Sequence, residues 1–404
     1  MSSVHQLSPS VLKAISSVVG VNLSALPDQA IRPIVDGVSR LSKLFARGSH
    51  KKGIAYFEDP ALRAGYLCYY LPVNLLKVQL LLDELQPAFL AVPKDNFRVL
   101  DLGGGPGTGA LGALDWCYSK SVPFRSSFHA TVADHSPQVL RLCSELWQAY
   151  SQLHQGDLIQ PIQTIECNLE RSLPPAIRSV AREGGYDLII VQNLLSELFS
   201  RKSDPISPRT LLVESLLECL AEEGSLMLVE PALRATSRAL HQMRDNLLAK
   251  QHCSVYSPCL HDGPCPALVK PDDWCHEERG WVIPPWIARV DRVVGFIKDA
   301  LKFSYVILRK DGKTLVPRNE DCLRVVSELR VMKGEKRVWL CDKTGRPEIG
   351  RLDRERSGTN APFDDWHRGA IVRISEIVRK ERKGRPAMVG RIASSGTVEI
   401  VRPA

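Results

Sequence analysis

The stretch Val99-Leu100-Asp101-Leu102-Gly103-Gly104-Gly105-Pro106-Gly107-Thr108-Gly109 runs an apolar segment straight into a glycine cluster. Glycines at a strand-to-helix turn let the backbone approach a ligand closely and leave the N–H groups of the following helix free. A phosphate loop would place Lys-Ser/Thr after its last glycine, whereas Ala110-Leu111 follow here. The dinucleotide pattern G-x-G-x-x-G/A can be laid over Gly105, Gly107 and Ala110. Asp101 argues against it, because a carboxylate opening the loop would repel a pyrophosphate. It suits a ligand that carries an ammonium group.

Working outward, the chain alternates strands with helices. Phe97–Leu102, Phe128–Ala133, Ile162–Glu166, Tyr186–Val191 and Ser225–Glu230 read as strands. Gly109–Tyr118, Gln138–Tyr150, Pro174–Arg182 and Thr210–Ala221 read as the helices between them. Such alternation predicts an α/β fold with a doubly wound, mostly parallel sheet. Arg234–Lys250 reads as a further helix and Cys253–Tyr256 as a sixth strand. Ile287–Ala300 reads as helical and Phe303–Leu308 as a strand. If that strand returns beside the sixth, the segment between them is an insertion at one sheet edge. Residues 1–92 show apolar positions at helical spacing, with Pro72 interrupting the run from Tyr66 to Leu90. They predict an N-terminal helical region that serves as scaffold, cap or partner-binding arm.

The pattern D-x-G-x-G-x-G, carried by Asp101, Gly103, Gly105 and Gly107, resembles motif I of class I S-adenosylmethionine methyltransferases. The resemblance implies a loop wrapped around the methionine part of the cofactor. Asp134, at the end of the second strand, is placed to accept both ribose hydroxyls. A helix cap beside Ser136-Pro137 is its alternative role. Asn168 follows the third strand, where such enzymes contact adenine, and Asn193 follows the fourth, facing the methyl group. Turn or cap roles compete at both asparagines. The N/D-P-P-Y/F run of base-amino methyltransferases is absent; Gln192-Asn193-Leu194-Leu195-Ser196-Glu197 stands there instead. No catalytic base is identifiable, and Cys167 and Cys219 read as buried structural thiols.

Cys259, Cys265 and Cys275 lie in a segment rich in proline, aspartate and histidine, S-P-C-L-H-D-G-P-C-P-A-L-V-K-P-D-D-W-C-H. This composition disfavours helix and central strand and suits a rigid loop. A sulfur-rich metal site or an iron–sulfur cluster is one reading. A surface loop with scattered thiols is the other. The absence of a C-x-x-C pair argues against a zinc knuckle or ribbon. His261 and His276 read as packing residues around the loop.

The 404 residues are 44% hydrophobic and 24% charged, a globular composition with room for two or three cores. No run of eighteen apolar residues exists, so no membrane span is expected. Eleven cysteines without an export signal point to a reducing compartment, with the thiols free or bound to metal. Charge is uneven. Residues 281–404 hold 27 Lys and Arg against 16 Asp and Glu, a surplus of eleven in a chain whose net charge is +8. A basic module on a near-neutral body predicts a polyanionic partner, most simply nucleic acid. From about residue 322 the chain reads as short strands, Val325–Leu329, Arg337–Leu340, Ala370–Ile377, Met388–Ile392 and Thr397–Val401. They predict a small OB-like β-barrel.

Taken together, L-D-L-G-G-G-P-G-T-G, L-V-E-P-A, P-C-L-H-D-G-P-C-P and D-W-C-H resemble the small-ribosomal-subunit methyltransferase-like family over roughly residues 60–345. Its eukaryotic members are mitochondrial ribosome assembly factors, and it has bacterial relatives. The resemblance implies a [4Fe–4S] cluster on four cysteines. Three map onto Cys259, Cys265 and Cys275, and the fourth onto Cys341 in V-W-L-C-D-K-T-G-R. Zn²⁺ is the alternative metal. Leu260 departs from the proline common in the family at that position.

The expected organisation is an N-terminal helical region (1–92), a class I methyltransferase-like domain (93–321) with a cysteine-rich insertion at 257–286, and a basic barrel (322–404). The expected function is S-adenosylmethionine-dependent methyl transfer to small-subunit 16S-type rRNA. Its alternative is a non-catalytic assembly factor that binds S-adenosylmethionine and rRNA. The expected form is a monomer in the bacterial cytoplasm, or in the mitochondrion of a eukaryote.

Overall fold

The computed structural model describes residues 5–46, 57–90, 94–120, 124–154, 158–379, 381–382, 385–386 and 389–404. The chain divides into two compact units. Of the described residues, one comprises 5–229 together with Gly280–Leu301; the other comprises Glu230–Arg279 and Lys302–Ala404.

The first unit opens with helices α1 (Pro9–Val19), α2 (Asp28–Ala46), α3 (Pro60–Gly65) and α4 (Leu71–Leu90). Ser8 caps α1 by accepting from Val11 N at 3.1 Å, and Pro9 occupies its first turn, where a missing N–H is harmless. The interruption expected near Pro72 is a π-helical turn over Tyr66–Tyr70, directly ahead of α4. There follow β1 (Lys94–Leu102), α5 (Thr108–Lys120), β2 (Phe124–Asp134), α6 (Pro137–Ser151), β3 (Gln163–Glu166), α7 (Pro175–Arg182), β4 (Tyr186–Gln192), α8 (Ile206–Glu218) and β5 (Leu220–Pro231).

Strands β3-β2-β1-β4-β5 lie in that order, and each neighbouring pair is parallel. Val99, Leu100 and Leu102 of β1 and Leu188 to Val191 of β4 are all wholly buried. Burial of consecutive residues means both sheet faces are covered, as a parallel sheet with helices on each side requires. The order reverses between β1 and β4. In open α/β sheets that reversal leaves a crevice at the carboxyl ends of the strands. The N-terminal helices are bound into this unit through buried Asp115 of α5. Its carboxylate accepts from Ser8 Oγ (2.5 Å), Gln79 Nε2 (2.8 Å) and Tyr150 Oη (2.9 Å), tying α5 to α4, α6 and the cap of α1.

In the second unit α9 (Arg234–Ala249) leads to β6 (Ser254–Ser257), the cysteine segment and β7 (Glu277–Gly280). Helix α10 (Pro285–Val294) is part of the first unit and ends where Gly295 takes φ +77°. The helix expected to reach Ala300 therefore stops six residues early: a left-handed glycine closes it. Strand β8 (Ala300–Arg309) returns antiparallel to β6, with Val255 opposite Leu308. The cysteine segment is thus an insertion between two adjacent strands, as expected.

The remaining strands are β9 (Leu323–Val325), β10 (Arg330–Met332), β11 (Glu335–Cys341), β12 (Glu348–Leu352), β13 (Ile371–Ile374), β14 (Glu381–Arg382), β15 (Arg385–Pro386), β16 (Val389–Arg391) and β17 (Val398–Arg402). Six of them form the path β16-β12-β11-β9-β13-β17, with β10 paired to β11. Val325, Val338, Leu340, Ile349, Phe363, Trp366, Val372 and Ile392 make its core. Where an OB-like barrel was expected, the structure shows this C-terminal sheet. Among the described residues the path runs from β16 to β17, and Val378, four residues beyond β13, exchanges backbone hydrogen bonds of 2.8 Å with Arg391 of β16. Strand β12 escaped the sequence reading, because Glu348-Ile-Gly-Arg-Leu352 alternates weakly and carries a glycine.

Candidate cofactor site and cysteine centre

The glycine loop leaves β1 at the carboxyl edge of the parallel sheet. Gly103 has φ +66° and donates its N–H to Ala133 O at 2.7 Å. Gly107 has φ +77°, and a Cβ there would stand 2.7 Å from Cys143 Sγ. Any side chain at Gly107 would meet both backbone strain and a clash.

Two carboxylates hold this loop from beneath. Asp101 is 1% exposed, and its Oδ2 accepts from Ala110 N at 2.9 Å, with Gly109 N a second donor. It therefore caps the first turn of α5. The N–H groups at the helix start supply partners for this buried carboxylate. Burial raises its carboxyl to about 6, against the lowering by those two N–H donors.

Asp134 ends β2, is 9% exposed, and accepts from Gly105 N at 3.1 Å through Oδ2 and from Ser136 N at 3.0 Å through Oδ1. Ser136 itself caps α6, accepting from Val139 N at 3.3 Å. Asp134 thus fixes the middle of the glycine loop while standing at the crevice.

Asn168 is exposed after β3, and its Oδ1 accepts from Glu170 N at 3.0 Å, a turn-forming bond. Asn193 follows β4 with φ +55° and donates its N–H to Val229 O at 2.8 Å. A left-handed non-glycine residue at a strand end is a place where strain accompanies function. All seven expected cofactor residues therefore gather at one edge of the first unit's sheet, although Asp101 and Asn168 spend carboxylate and amide oxygens on backbone.

The sequence reading missed two side chains here. Tyr66, from the π-helical turn, brings its hydroxyl to 3.8 Å from where a Gly105 Cβ would stand. Burial raises its phenol, and Asp134, Asp101 and Glu197 raise it further. π-Helical turns concentrate at functional sites, but helical periodicity alone does not reveal one. Glu197 lies in the turn after β4, and its carboxyl is raised to about 7 by desolvation first and by Asp134 second. Leu194 of the same turn sits over Gly103, its methyls 2.7 Å from where a Cβ would stand.

The buried Asp101 predicts a pH dependence. Its folded value, about 6, exceeds the ordinary 3.8. The folded state then holds the proton more tightly, so the stabilising share is complete below pH 4 and is lost as pH rises to about 6. Asp101→Asn should flatten this slope, worth on the order of 2 kcal/mol, while its amide oxygen still caps α5. Urea midpoints at pH 4.5 and pH 7 read the difference; an unchanged slope would refute the assignment.

In the second unit the four cysteines converge. Cys341, at the end of β11 opposite Arg324 of β9, is raised far above an ordinary thiol by burial and then by Cys275, Cys259 and Cys265. Burial likewise raises Cys275 to about 11 and Cys265 further still, with Cys259 acting on both and Cys275 also on Cys265. Mutual effects of this kind require all four thiols to lie within Coulomb range.

Guanidinium groups hold the loop by its carbonyls. Arg244 donates to His261 O (2.6 Å), Arg238 to Lys270 O and Asp273 O (both 2.7 Å), and Arg318 to Cys259 O (3.0 Å). Arg244 and Arg346 are both raised by the thiols near them, with burial opposing. His241 of α9 is 1% exposed and pushed down to about 3 by burial, Arg244 and Arg346. It too lay outside the sequence reading, for it is far from the cysteines in the chain.

Among the described residues, no group of three or more His, Cys, Asp or Glu side chains is arranged to hold a metal ion. Tetrahedral zinc needs its sulfurs about 2.3 Å from one centre. One buried and three half-buried thiols beside arginines are of the donor type that takes a soft metal, as a single ion or as a cluster.

A family model described as mitochondrial small ribosomal subunit Rsm22 matches residues 63–358. Two relatives from Schizosaccharomyces pombe, the mitochondrial Rsm22-cox11 tandem proteins 1 and 2, are each 23% identical over 260 residues, 62% of this chain. The match spans 32% of their length, so the chain corresponds to about a third of those proteins. Among solved structures, the citrinin polyketide synthase CMeT domain is similar at 12% identity and TM-score 0.38, over 71% of this chain and 67% of that one. The plantazolicin methyltransferase BpumL is similar at 13% identity and TM-score 0.33, over 70% and 98%. With more than half of its residues matched by the family model, the chain belongs to the mitochondrial small ribosomal subunit Rsm22 family.

Proposed function

We propose that the chain is an S-adenosylmethionine-binding, methyltransferase-like factor of the small ribosomal subunit that methylates its rRNA. The observation that carries the reading is the pair of acidic side chains, Asp101 and Asp134, gripping one glycine loop at the carboxyl edge of the parallel sheet. Such a loop can wrap the methionine moiety, while Asp134 accepts ribose hydroxyls. Gly103, Gly105 and Gly107 keep the backbone open, and Asn168 and Asn193 flank the adenine and methyl ends. Methyl transfer to a nitrogen lone pair needs orientation and desolvation more than a base. The family match supports the ribosomal setting. The relatives' printed names support a mitochondrial location in a eukaryote; in a bacterium the chain would work in the cytoplasm.

Cys259, Cys265, Cys275 and Cys341 would hold a [4Fe–4S] cluster, which when bound cross-links the inserted loop to the end of β11. Zn²⁺ is the alternative occupant. The module from residue 322 onward, rich in Lys and Arg, would contact rRNA phosphates, with residues 93–321 as the cofactor domain and 1–92 as its helical scaffold. We take the working form to be a monomer.

A second reading is a factor that binds S-adenosylmethionine and rRNA without transfer. The crevice favours it at one point: the turn after β4 presents Leu194 over Gly103, where base-amino methyltransferases carry a polar-proline-proline-aromatic run. Incubation of the full chain with methyl-labelled S-adenosylmethionine and small-subunit rRNA separates the two. Label in the rRNA is the expected result. Unlabelled rRNA, with cofactor binding intact by calorimetry, would establish the second reading.

A further inference from the structure

Strand β11 carries a feature that its core does not explain. Val338 and Leu340 are wholly buried in the sheet core, so Trp339 between them points to the opposite side. Its indole there is partly exposed and lines a cavity of about 540 Å³. Trp274, His276, Lys270, Arg346 and Arg368 line the same cavity. The rings of Trp274 and His276 stack, with centroids 5.9 Å apart and planes at 21°. Trp274 Nε1 and His276 Nδ1 are shielded from solvent and make no hydrogen bond. His276 gives its Nε2–H to Glu278 at 3.0 Å, so its Nδ1 is an unmatched acceptor beside the unmatched Trp274 donor, and buried polar atoms left unmatched cost about 1–3 kcal/mol each.

The walls are aromatic and cationic together. Arg346 commits Nη1 to Asp273 at 2.5 Å and to Trp274 O, and Arg368 donates to Val326 O at 2.7 Å. Those bonds fix two planar guanidinium groups, each with five N–H donors, at the rim. Lys270 adds an exposed ammonium, while Asp272 and Asp273 also line the cavity. Arg346 pairs with Asp273, and Arg368 with Glu278 and Glu328, so Lys270 is the lining cation that can meet one phosphodiester charge, and not a polyphosphate. Indole faces beside arginines are the surfaces on which bases splayed from a single strand stack. The volume accommodates one nucleotide. A duplex offers no free base face to such a cavity.

We propose that this cavity receives a single unpaired nucleotide of an RNA strand, its base stacked on Trp339 or Trp274 and its phosphate beside Lys270. The proposal rests on the RNA-binding reading above and names the form of RNA that is bound. The test is fluorescence anisotropy of the full-length protein with an unstructured labelled oligoribonucleotide, and with the same strand annealed into a duplex. Trp339→Ala should weaken single-strand binding by about fivefold to a hundredfold, leaving duplex binding within twofold. Trp339→Phe should restore most of the loss. Lys270→Ala should lower the salt slope of single-strand binding by about one. Metal content and melting temperature, unchanged in Trp339→Ala, exclude a folding effect, since the indole lies outside the sheet core. Single-strand binding by Trp339→Ala within twofold of wild type, or an equal loss on duplex, would overturn the cavity's role. Wild-type protein that binds neither RNA would overturn the RNA reading itself.

Discussion

Replacing Asp134 with alanine is expected to weaken S-adenosylmethionine binding by a hundredfold or more, measured by calorimetry on the full chain. The carboxylate has two duties at one site. Its Oδ2 holds Gly105 N at 3.1 Å and its Oδ1 holds Ser136 N at 3.0 Å, so it sets the height of the glycine loop and the entry to α6. At the mouth of the crevice its remaining lone pairs would meet the ribose of the proposed cofactor. Hydrogen bonds to a charged group contribute about 1.5–3 kcal/mol each. Loss of a ribose contact together with the loop anchor thus exceeds one hundredfold, about 2.7 kcal/mol. Asp134→Asn keeps one acceptor and should fall between. An affinity for the alanine variant within threefold of wild type would remove the ribose assignment and leave Asp134 a purely structural residue.

The second large effect is expected at Cys341→Ser. Serine oxygen is a hard, poorly ionised donor, and a thiolate site loses a quarter of its ligands with it. Iron content after anaerobic purification should fall from about four atoms per chain to well below one. The second unit should become several kilocalories per mole less stable, because metal–thiolate binding energy is folding energy. Cys275 and Cys341 are far apart in sequence, and closing a loop of that length costs only a few kcal/mol. The site can therefore act as a clasp between the inserted loop and β11. Limited proteolysis of the variant should expose new cleavage near residues 310–325, while calorimetric S-adenosylmethionine affinity stays at the wild-type value. Equal metal content in variant and wild type would sink the four-cysteine assignment. One zinc per wild-type chain, with no iron, would replace the cluster with a single ion.

Much of the first unit was legible from residue order. The run Val99–Gly109 announces strand, glycine turn and helix, and β1 and α5 appear where it places them. Tyr186–Val191 reads as a buried strand because every residue is apolar but Asp187, and β4 is buried along that length. Less was legible after residue 320. Strands of two to five residues carry too few alternations to mark their ends, and whether a sheet closes depends on its twist and edge pairing. The sequence therefore showed short strands here without their order, which the structure gives as β16-β12-β11-β9-β13-β17.

At the sites, the chain's local chemistry determined on its own where the glycine loop lies, which carboxylates flank it, and that Cys259, Cys265 and Cys275 share a turn-rich segment. The role of Cys341 came from family resemblance, not from spacing. Only the tertiary structure decided that Asp101 turns inward to cap α5, that Tyr66 lies against Gly105, and that Trp339 faces a cavity with Trp274. The physical reason is range. Backbone propensity and periodicity act over a few residues and fix elements, whereas these contacts join residues from 9 to 65 positions apart. Their geometry depends on strand register, helix packing and competition for buried hydrogen-bond donors, none of which a single stretch of sequence encodes.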